Sequence, residues 1–362
     1  MPRGLSNAPT EAKARVMALY LLVGLLLAAC APAAKPLYPA QTWSKVQTPA
    51  AVGWSSAKLK LAQAYSESIG SEAVMIIVHG EILAEWGDTT RTIDVRSVMK
   101  PLLNALYGIA VAEGKIDIQS TLAELGVDDK RPPLTDAEKQ ARIVDLLQAR
   151  SGVYHVSGVD TPMMREQMPK PGSHPPGTFW FYHNWDFCAL GGIYEQTMQS
   201  SLFADFDRLL AKPLGMEDFA LTDTALVWGS YESVYPWYSF RLSARDLARF
   251  GLLYLRQGQW QGTQIIPQTW IADSLKPYSD ASDWGRGGYG MLWWVTLNHR
   301  LFPGVEISGN AFAGTGRGGD YLVIIPDLDL VIVHRTNPPL SIVGDEQFGV
   351  LLKLILDAKI NH

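Results

Sequence analysis

Ser97-Val98-Met99-Lys100 opens a long apolar segment that runs through Pro101, Leu102, Leu103, Leu106, Ile109 and Val111 to Glu113. Residues three apart on a helix share one face, so the hydroxyl and the amine come within hydrogen-bonding reach without help from a loop. That is the relation of a nucleophile to its activating base. The motif is short, and about one match arises by chance in a chain of this length. Ser55-Ser56-Ala57-Lys58 is a second copy. Its surroundings set it apart: Leu59, Leu61, Ala62, Tyr65 and Ile69 predict a helix over residues 56–69 that stops at Gly70. Ser55 and Ser56 then fall where a helix cap belongs.

Outward from Ser97, residues 73–78 and 82–86 flank His79-Gly80-Glu81 as two apolar strands around a turn, the signature of a hairpin. From about residue 117 to 222 the patterning is helical and broken by loops, with helices over 143–149 and 202–214 and a Pro- and Gly-rich loop at 170–177. Ser243 caps a further helix that continues through Leu247, Leu252, Leu253 and Leu255. Residues 289–296, 321–325 and 328–334 are rich in β-branched and aromatic side chains and are expected as strands, with Pro326-Asp327 as the last turn. Phe348, Leu351, Leu352, Ile355 and Leu356 mark a final amphipathic helix. This order predicts an α+β fold: a mainly antiparallel sheet flanked by N- and C-terminal helices, with an all-helical region inserted between its parts.

At 362 residues with 47% hydrophobic side chains the chain can bury a sizeable core, and its net charge of −5 offers nothing to a nucleic acid. The first 29 residues read as a targeting segment, with Lys13 and Arg15 ahead of an apolar run too short to span a bilayer comfortably. Leu27-Ala28-Ala29-Cys30 resembles a bacterial lipobox, which implies that Cys30 is lipidated and tethers the protein to a membrane. The expectation is a lipid-anchored, periplasm-facing protein of the bacterial cell envelope. Ala31 lacks the Asp that marks inner-membrane retention in resembling lipoproteins, which favours the outer membrane. Residues 30–50 are expected as a flexible tether and 51–362 as the folded domain, with an α/β part over about 51–100 and 225–362 and a helical part over about 101–224. Cys188, in Phe187-Cys188-Ala189-Leu190, has no partner for an internal disulfide and is expected as a buried structural thiol.

The chain has no Gly-x-Ser-x-Gly, His-Glu-x-x-His, Cys-x-x-Cys or Gly-x-x-x-x-Gly-Lys, so no metal and no cofactor is expected. The run from Gly314 to Gly319 fits Gly-x-Gly-x-x-Gly but leads into a strand instead of a helix, against a dinucleotide site. Tyr182-His183-Asn184 follows the Pro- and Gly-rich loop. Tyr serves as a general base where neighbouring positive charge lowers its pKa, and Asn offers both a donor and an acceptor. The same stretch also reads as aromatic packing with Phe179, Trp180, Phe181 and Trp185.

Taken together these motifs resemble the serine β-lactamase and penicillin-recognising superfamily, in its class C-like branch of esterases, D-aminopeptidases, carboxypeptidases and 6-aminohexanoate-dimer hydrolases. The likeness spans about residues 56–359. It rests on Ser97-Val98-Met99-Lys100, the Leu146-Leu147-Gln148-Ala149-Arg150-Ser151-Gly152 segment, Pro176-Gly177 ahead of Tyr182-His183-Asn184, Pro213-Leu214-Gly215-Met216, the Ser243 helix and the Gly318-Gly319 strand. The resemblance implies a β-lactamase/transpeptidase-like fold in which Ser97 forms an acyl-enzyme and Lys100 shuttles its proton. Tyr182 would assist as base, and Asn184 would hold the substrate's carbonyl side. Backbone donors at Ser97 and near Gly316 and Arg317 would form the oxyanion hole, with Ser151 and Gly152 structural.

One family motif departs. Aligning its Thr-Gly on Thr315-Gly316 puts Gly314 where a Lys or His that binds substrate carboxylates should stand. Arg317 is the nearest replacement. The implied substrate is therefore a small ester or amide, with a D-Ala-D-Ala carboxypeptidase or β-lactamase, and a non-catalytic penicillin-binding-like sensor lipoprotein, as the alternatives. Trp180, Trp237 and Tyr238 are candidates for an aromatic pocket.

Overall fold

Ala73-Val74-Met75-Ile76-Ile77-Val78 carries no polar side chain, so as a strand it needs cover on both faces. It forms β1 (Ala73–Val78), buried at every position. The computed structural model describes Met1, residues 36–229 and residues 233–360, and residues from Tyr38 onward form one compact unit. The predicted targeting segment and Cys30 lie outside the described residues.

Helix α1 (Ser56–Ser68) leads into β1 and its hairpin partner β2 (Glu81–Gly87), followed by the short β3 (Ile93–Asp94) and helix α2 (Met99–Ala112). The inserted region is helical, with α3 (Ile143–Leu147), α4 (Pro162–Gln167), α5 (Asn184–Met198) and α6 (Leu202–Phe206), the last continuing through a π-helical turn at Asp207–Ala211. Then come β4 (Thr224–Val227), β5 (Trp237–Leu242), α7 (Ala244–Leu255), β6 (Ser279–Asp280), β7 (Gly288–Tyr289), β8 (Trp294–Val295), β9 (Phe312–Gly316), β10 (Asp320–Ile325), β11 (Leu330–Arg335) and α8 (Asp345–Asp357).

The main sheet has eight strands in the order β2-β1-β11-β10-β9-β8-β7-β6. Every pair in it is antiparallel. Helix α8 covers one face, where Phe348 stacks on Tyr321 with ring centroids 3.9 Å apart. Helix α7 covers the other so closely that a Cβ on Gly251 would lie 2.6 Å from Val331 Cγ1. Only glycine lets a helix backbone approach a sheet to that distance. A separate ribbon, β3-β5-β4, stands beside the main sheet.

Helix α2 is buried continuously from Met99 to Ala110, so its polar groups past Lys100 must be satisfied within the protein, and Tyr107 donates to the Leu190 carbonyl at 2.7 Å. Asn104 Nδ2 donates to Ser274 Oγ and to the Met291 carbonyl, each at 2.9 Å, while its Oδ1 accepts from Tyr254 at 2.7 Å and Trp270 at 3.2 Å. The amide thereby ties α2 to α7, to the helix Gln268–Ser274 and to the turn at Met291.

Two expectations differ from the structure. Residues 289–296 are two short strands joined by a turn, with Tyr289 paired to Trp294 and Leu292 at φ 63°. The Leu292 N–H is drawn out of the strand ladder to the Leu147 carbonyl at 2.9 Å, a tertiary bond that no local pattern announces. The expected tether is laid on the domain from Tyr38 on. Tyr38 packs on Trp260, Trp43 Nε1 donates to the Arg245 carbonyl, and Val46 is buried with its N–H on the Ile82 carbonyl. The aromatic residues among the prolines supply enough apolar surface to hold the segment down.

Asn104→Ala would leave Ser274, Tyr254 and the Met291 carbonyl in a dry core without this mate, while Trp270 keeps its bond to the residue-104 carbonyl at 3.0 Å. It is expected to lower unfolding stability by about 3 kcal/mol, read as a shift in the urea midpoint at unchanged slope.

Candidate active site

Arg96 takes a left-handed backbone, φ 49°, in the residue before Ser97. Such a conformation is unfavourable for a side chain with a Cβ and persists only where neighbours over-determine it. Here the Asp94 carboxylate accepts the Arg96 N–H at 2.8 Å, and the Arg96 guanidinium pairs with Asp320, which is fully buried. Asp320 in turn binds Arg335 Nε at 2.8 Å. Arg335 spends its remaining donors on the carbonyls of Ile93, Asp94 and Leu242. The turn Arg96–Val98 thus hands Ser97 to the start of α2, where first-turn N–H groups have no intrahelical acceptor.

Lys100 Nζ and Ser97 Oγ are hydrogen-bonded at 2.8 Å. Lys100 is buried, and loss of solvent holds its amine well below the ordinary lysine range, with the charge of Asp160 opposing that shift. The amine faces the rings of Phe187, Trp237 and Tyr182 at 4.4, 4.7 and 4.8 Å from their centroids. A buried amine that prefers to be neutral can accept a proton from a serine hydroxyl.

Tyr182 reaches the same point, stacked on Trp294 at 5.3 Å. The expectation that positive charge lowers its pKa is overturned. Burial pushes the phenol up to about 12, and the Ser97 hydroxyl and the Arg286 guanidinium pull it down without prevailing. Tyr182 is therefore a resting phenol, and the Lys100 amine, held toward its neutral form, is the group placed to accept a proton from Ser97. His183, between Tyr182 and Asn184, is buried against Tyr154 and Phe181, and burial drops its imidazole to about 4. Asn184 Nδ2 donates to Asp160 Oδ1 at 3.1 Å and contacts Met164 Sδ at 3.5 Å. Its amide N–H₂ is committed to that side, so the donor expected to hold a substrate carbonyl is already in use. Asp160, fixed also by the Ser157 N–H at 2.7 Å, has no motif around it and was not legible in the sequence.

Strand β9 lies against the Ser97 turn. A Cβ on Gly314 would sit 2.9 Å from Pro101 Cγ and 3.3 Å from Val98 Cγ1. A Cβ on Gly316 would sit 2.7 Å from the Val95 carbonyl. The position of the family cation is thus closed by the residue after Lys100. Arg317 follows the end of β9, in the turn to β10, and is exposed. It does not take the cation's place. Gly316 belongs to the wall under the turn, and past Ala313 the β8 side of β9 carries no paired strand among the described residues.

Trp237 meets Lys100, whereas its neighbour Tyr238 points to the opposite face and donates to Glu195 at 2.9 Å. Trp180 packs with Trp284, Tyr289 and Trp294 behind Tyr182. Ser151 donates to Asp186, a structural bond, and Cys188 is buried 3.8 Å from Ser157 Oγ. The other Ser-x-x-Lys is a cap: Ser55 Oγ accepts the Lys58 N–H at 3.3 Å, and Lys58 Nζ turns to the Asp357 carbonyl. Among the described residues no group of three or more His, Cys, Asp or Glu side chains is arranged to hold a metal ion.

The family model for Beta-lactamase matches residues 60–345. The chain belongs to the Beta-lactamase family. This is a family of serine hydrolases with the β-lactamase fold. No curated protein sequence matches the chain at a significant level. Solved structures of similar fold include a Bacillus anthracis protein provisionally described as a 6-aminohexanoate-dimer hydrolase, 18% identical over 89% of this chain and 88% of that one, with a TM-score of 0.61. A β-lactamase from Mycobacterium bovis is 19% identical over 84% and 100%, TM-score 0.59. A β-lactamase/D-alanine carboxypeptidase from Pseudomonas syringae is 17% identical over 83% and 99%, TM-score 0.58. At these identities the likeness is one of fold, and this Beta-lactamase family member keeps the α+β layout that the sequence predicts.

Installing the missing cation should fail for steric reasons. Gly314→Lys is expected to lose about 1–3 kcal/mol of stability by overpacking against Pro101. It is also expected to gain no nitrocefin turnover, both read on purified protein.

Proposed function

We propose that the protein cleaves a small ester or amide through an acyl-enzyme on Ser97. The observation that carries this reading is the 2.8 Å bond between Ser97 Oγ and a buried lysine that prefers to be neutral. As Ser97 attacks the acyl carbon, Lys100 takes its proton. The Tyr182 phenol, still protonated near neutrality, passes a proton toward the leaving group. The Ser97 N–H at the start of α2 and the open end of β9 supply backbone donors for the carbonyl oxygen. Each such donor is worth roughly 2.7–4 kcal/mol where it has been removed from a protease.

The closure of position 314 supports a substrate without a carboxylate to bind, which favours esters and amides over β-lactams and D-Ala-D-Ala stems. A panel of p-nitrophenyl esters, D-amino-acid amides and nitrocefin tests it. Turnover of the esters or amides is expected, with a loss on the order of 10³-fold or more in Ser97→Ala. Nitrocefin turnover with inert esters would move the assignment to a β-lactamase, and wild-type phenotype in Ser97→Ala cells would favour the sensor.

We infer further that Cys30 carries lipid and holds the enzyme in the bacterial envelope. No described helix is long and apolar enough to cross a membrane. Cells fed an alkyne fatty acid should label the wild type, and Cys30→Ser should lose both the label and the membrane fraction.

A further inference from the structure

Burying the amine of Lys100 solves one half of a general base's task and worsens the other. Away from water the neutral form is favoured, but the same burial penalises the ammonium that must form when the Ser97 proton arrives. We propose that the rings of Phe187, Trp237 and Tyr182, together with the Asp160 carboxylate, are the device that holds that proton: they stabilise the Lys100 ammonium as Ser97 is acylated. The proposal rests on the acyl-transfer reading above and assigns positioning roles to Phe187, Trp237 and Asp160.

The geometry is convergent. Nζ lies 4.4, 4.7 and 4.8 Å from the three centroids, all inside the roughly 6 Å over which a ring face attracts a cation. The rings come from separate places: Tyr182 from the segment before α5, Phe187 from α5 itself and Trp237 from β5. Phe187 is fully buried and Trp237 is 8% exposed, so little solvent screens the attraction. Asp160 adds a formal charge from the loop before α4, held in place by the Ser157 and Asn184 N–H groups. The other titratable groups around the amine are Tyr182 and Cys188. Both are pushed up to about 12 by burial and stay neutral, which leaves Asp160, whose own carboxyl burial pushes up, as the acid whose charge acts on Lys100. Arg165 lies beyond Asp160, and Arg286 beyond Tyr182, where Asp345 pairs it.

The step balances without a co-reactant. Ser97 Oγ bonds to the acyl carbon, its proton passes to Lys100 Nζ, and the carbonyl π pair moves to oxygen. When that pair returns, the leaving group departs with the proton, relayed from the ammonium through the Tyr182 hydroxyl. A box that favours the ammonium lowers the energy of the state between these two events.

The test is the pH dependence of Ser97 labelling by a fluorophosphonate, which needs no knowledge of the substrate. Labelling rises as Lys100 loses its proton, so the acid limb reports the amine. Trp237→Leu keeps the pocket apolar and removes a ring face. Its acid limb is expected about one pH unit lower, with a plateau about tenfold slower. Asp160→Asn should move the limb the same way, while Trp237→Phe keeps a ring and should hold it near the wild-type position. A limb that stays put in both Trp237→Leu and Asp160→Asn, or rises in either, overturns the proposal. So does a Trp237→Phe that behaves like the Leu variant. Should Trp237→Leu fail to fold by thermal melting, Phe187→Leu and Asp160→Asn carry the same comparison. Wild-type labelling at Ser97 with unmoved limbs refutes the box and leaves acyl transfer standing, whereas a folded wild type unlabelled at Ser97 refutes acyl transfer itself.

Discussion

Two arginines share one buried carboxylate at the end of the main sheet, and the Ser97 turn depends on them. Asp320 opens β10 and pairs with Arg335, its cross-sheet neighbour on β11, and with Arg96, the residue before Ser97. A buried ion is costly unless it has an opposite charge beside it and carbonyls to take its other donors. Arg335 meets that condition by reaching the carbonyls of Ile93, Asp94 and Leu242, so the β3-β5-β4 ribbon is bolted to the main sheet by one side chain. The left-handed backbone at Arg96 is stable because its N–H and its guanidinium are both held. From that fixed turn α2 departs, and Lys100 arrives one turn later against Ser97.

The electrostatics around Ser97 differ from those of a site that reads a substrate carboxylate. Position 314 has no room for a cation, since Pro101 and Val98 fill it, and Arg317 stands exposed in the turn beyond the strand. Rings surround the buried Lys100 amine instead, and the charge of Asp160 acts on it. On the proposed reading these features act in one direction: they let the lysine serve as a base whose protonated form is tolerated, and they offer little to an anionic substrate. Asn184, turned to Asp160, fits the same pattern.

Much of this was legible in the chain. Local signals placed the β1-β2 hairpin, the Ser55 and Ser243 caps and the final helix, because each is set by neighbours within a few residues. The order of Ser97, Lys100 and Tyr182 gave the family, and the structure brings all three side chains together. What escaped the sequence depends on distant partners. The turn at Leu292 answers to a carbonyl at Leu147, the expected tether is held by Trp260 and Ile82, and the ionisation of Tyr182 is decided by how deeply it is buried. Asp160, Asp320 and Arg335 have no local signature, since a single charged residue looks the same whether it is solvated or buried against a partner far along the chain.

Intact-mass and peptide analysis of enzyme quenched in acid during turnover of a p-nitrophenyl ester tests the central claim most directly. The account predicts the acyl mass on the peptide that contains Ser97 and its absence in Ser97→Ala. Acyl mass confined to another residue, or turnover that proceeds with no adduct on Ser97 at any quench time, would contradict it.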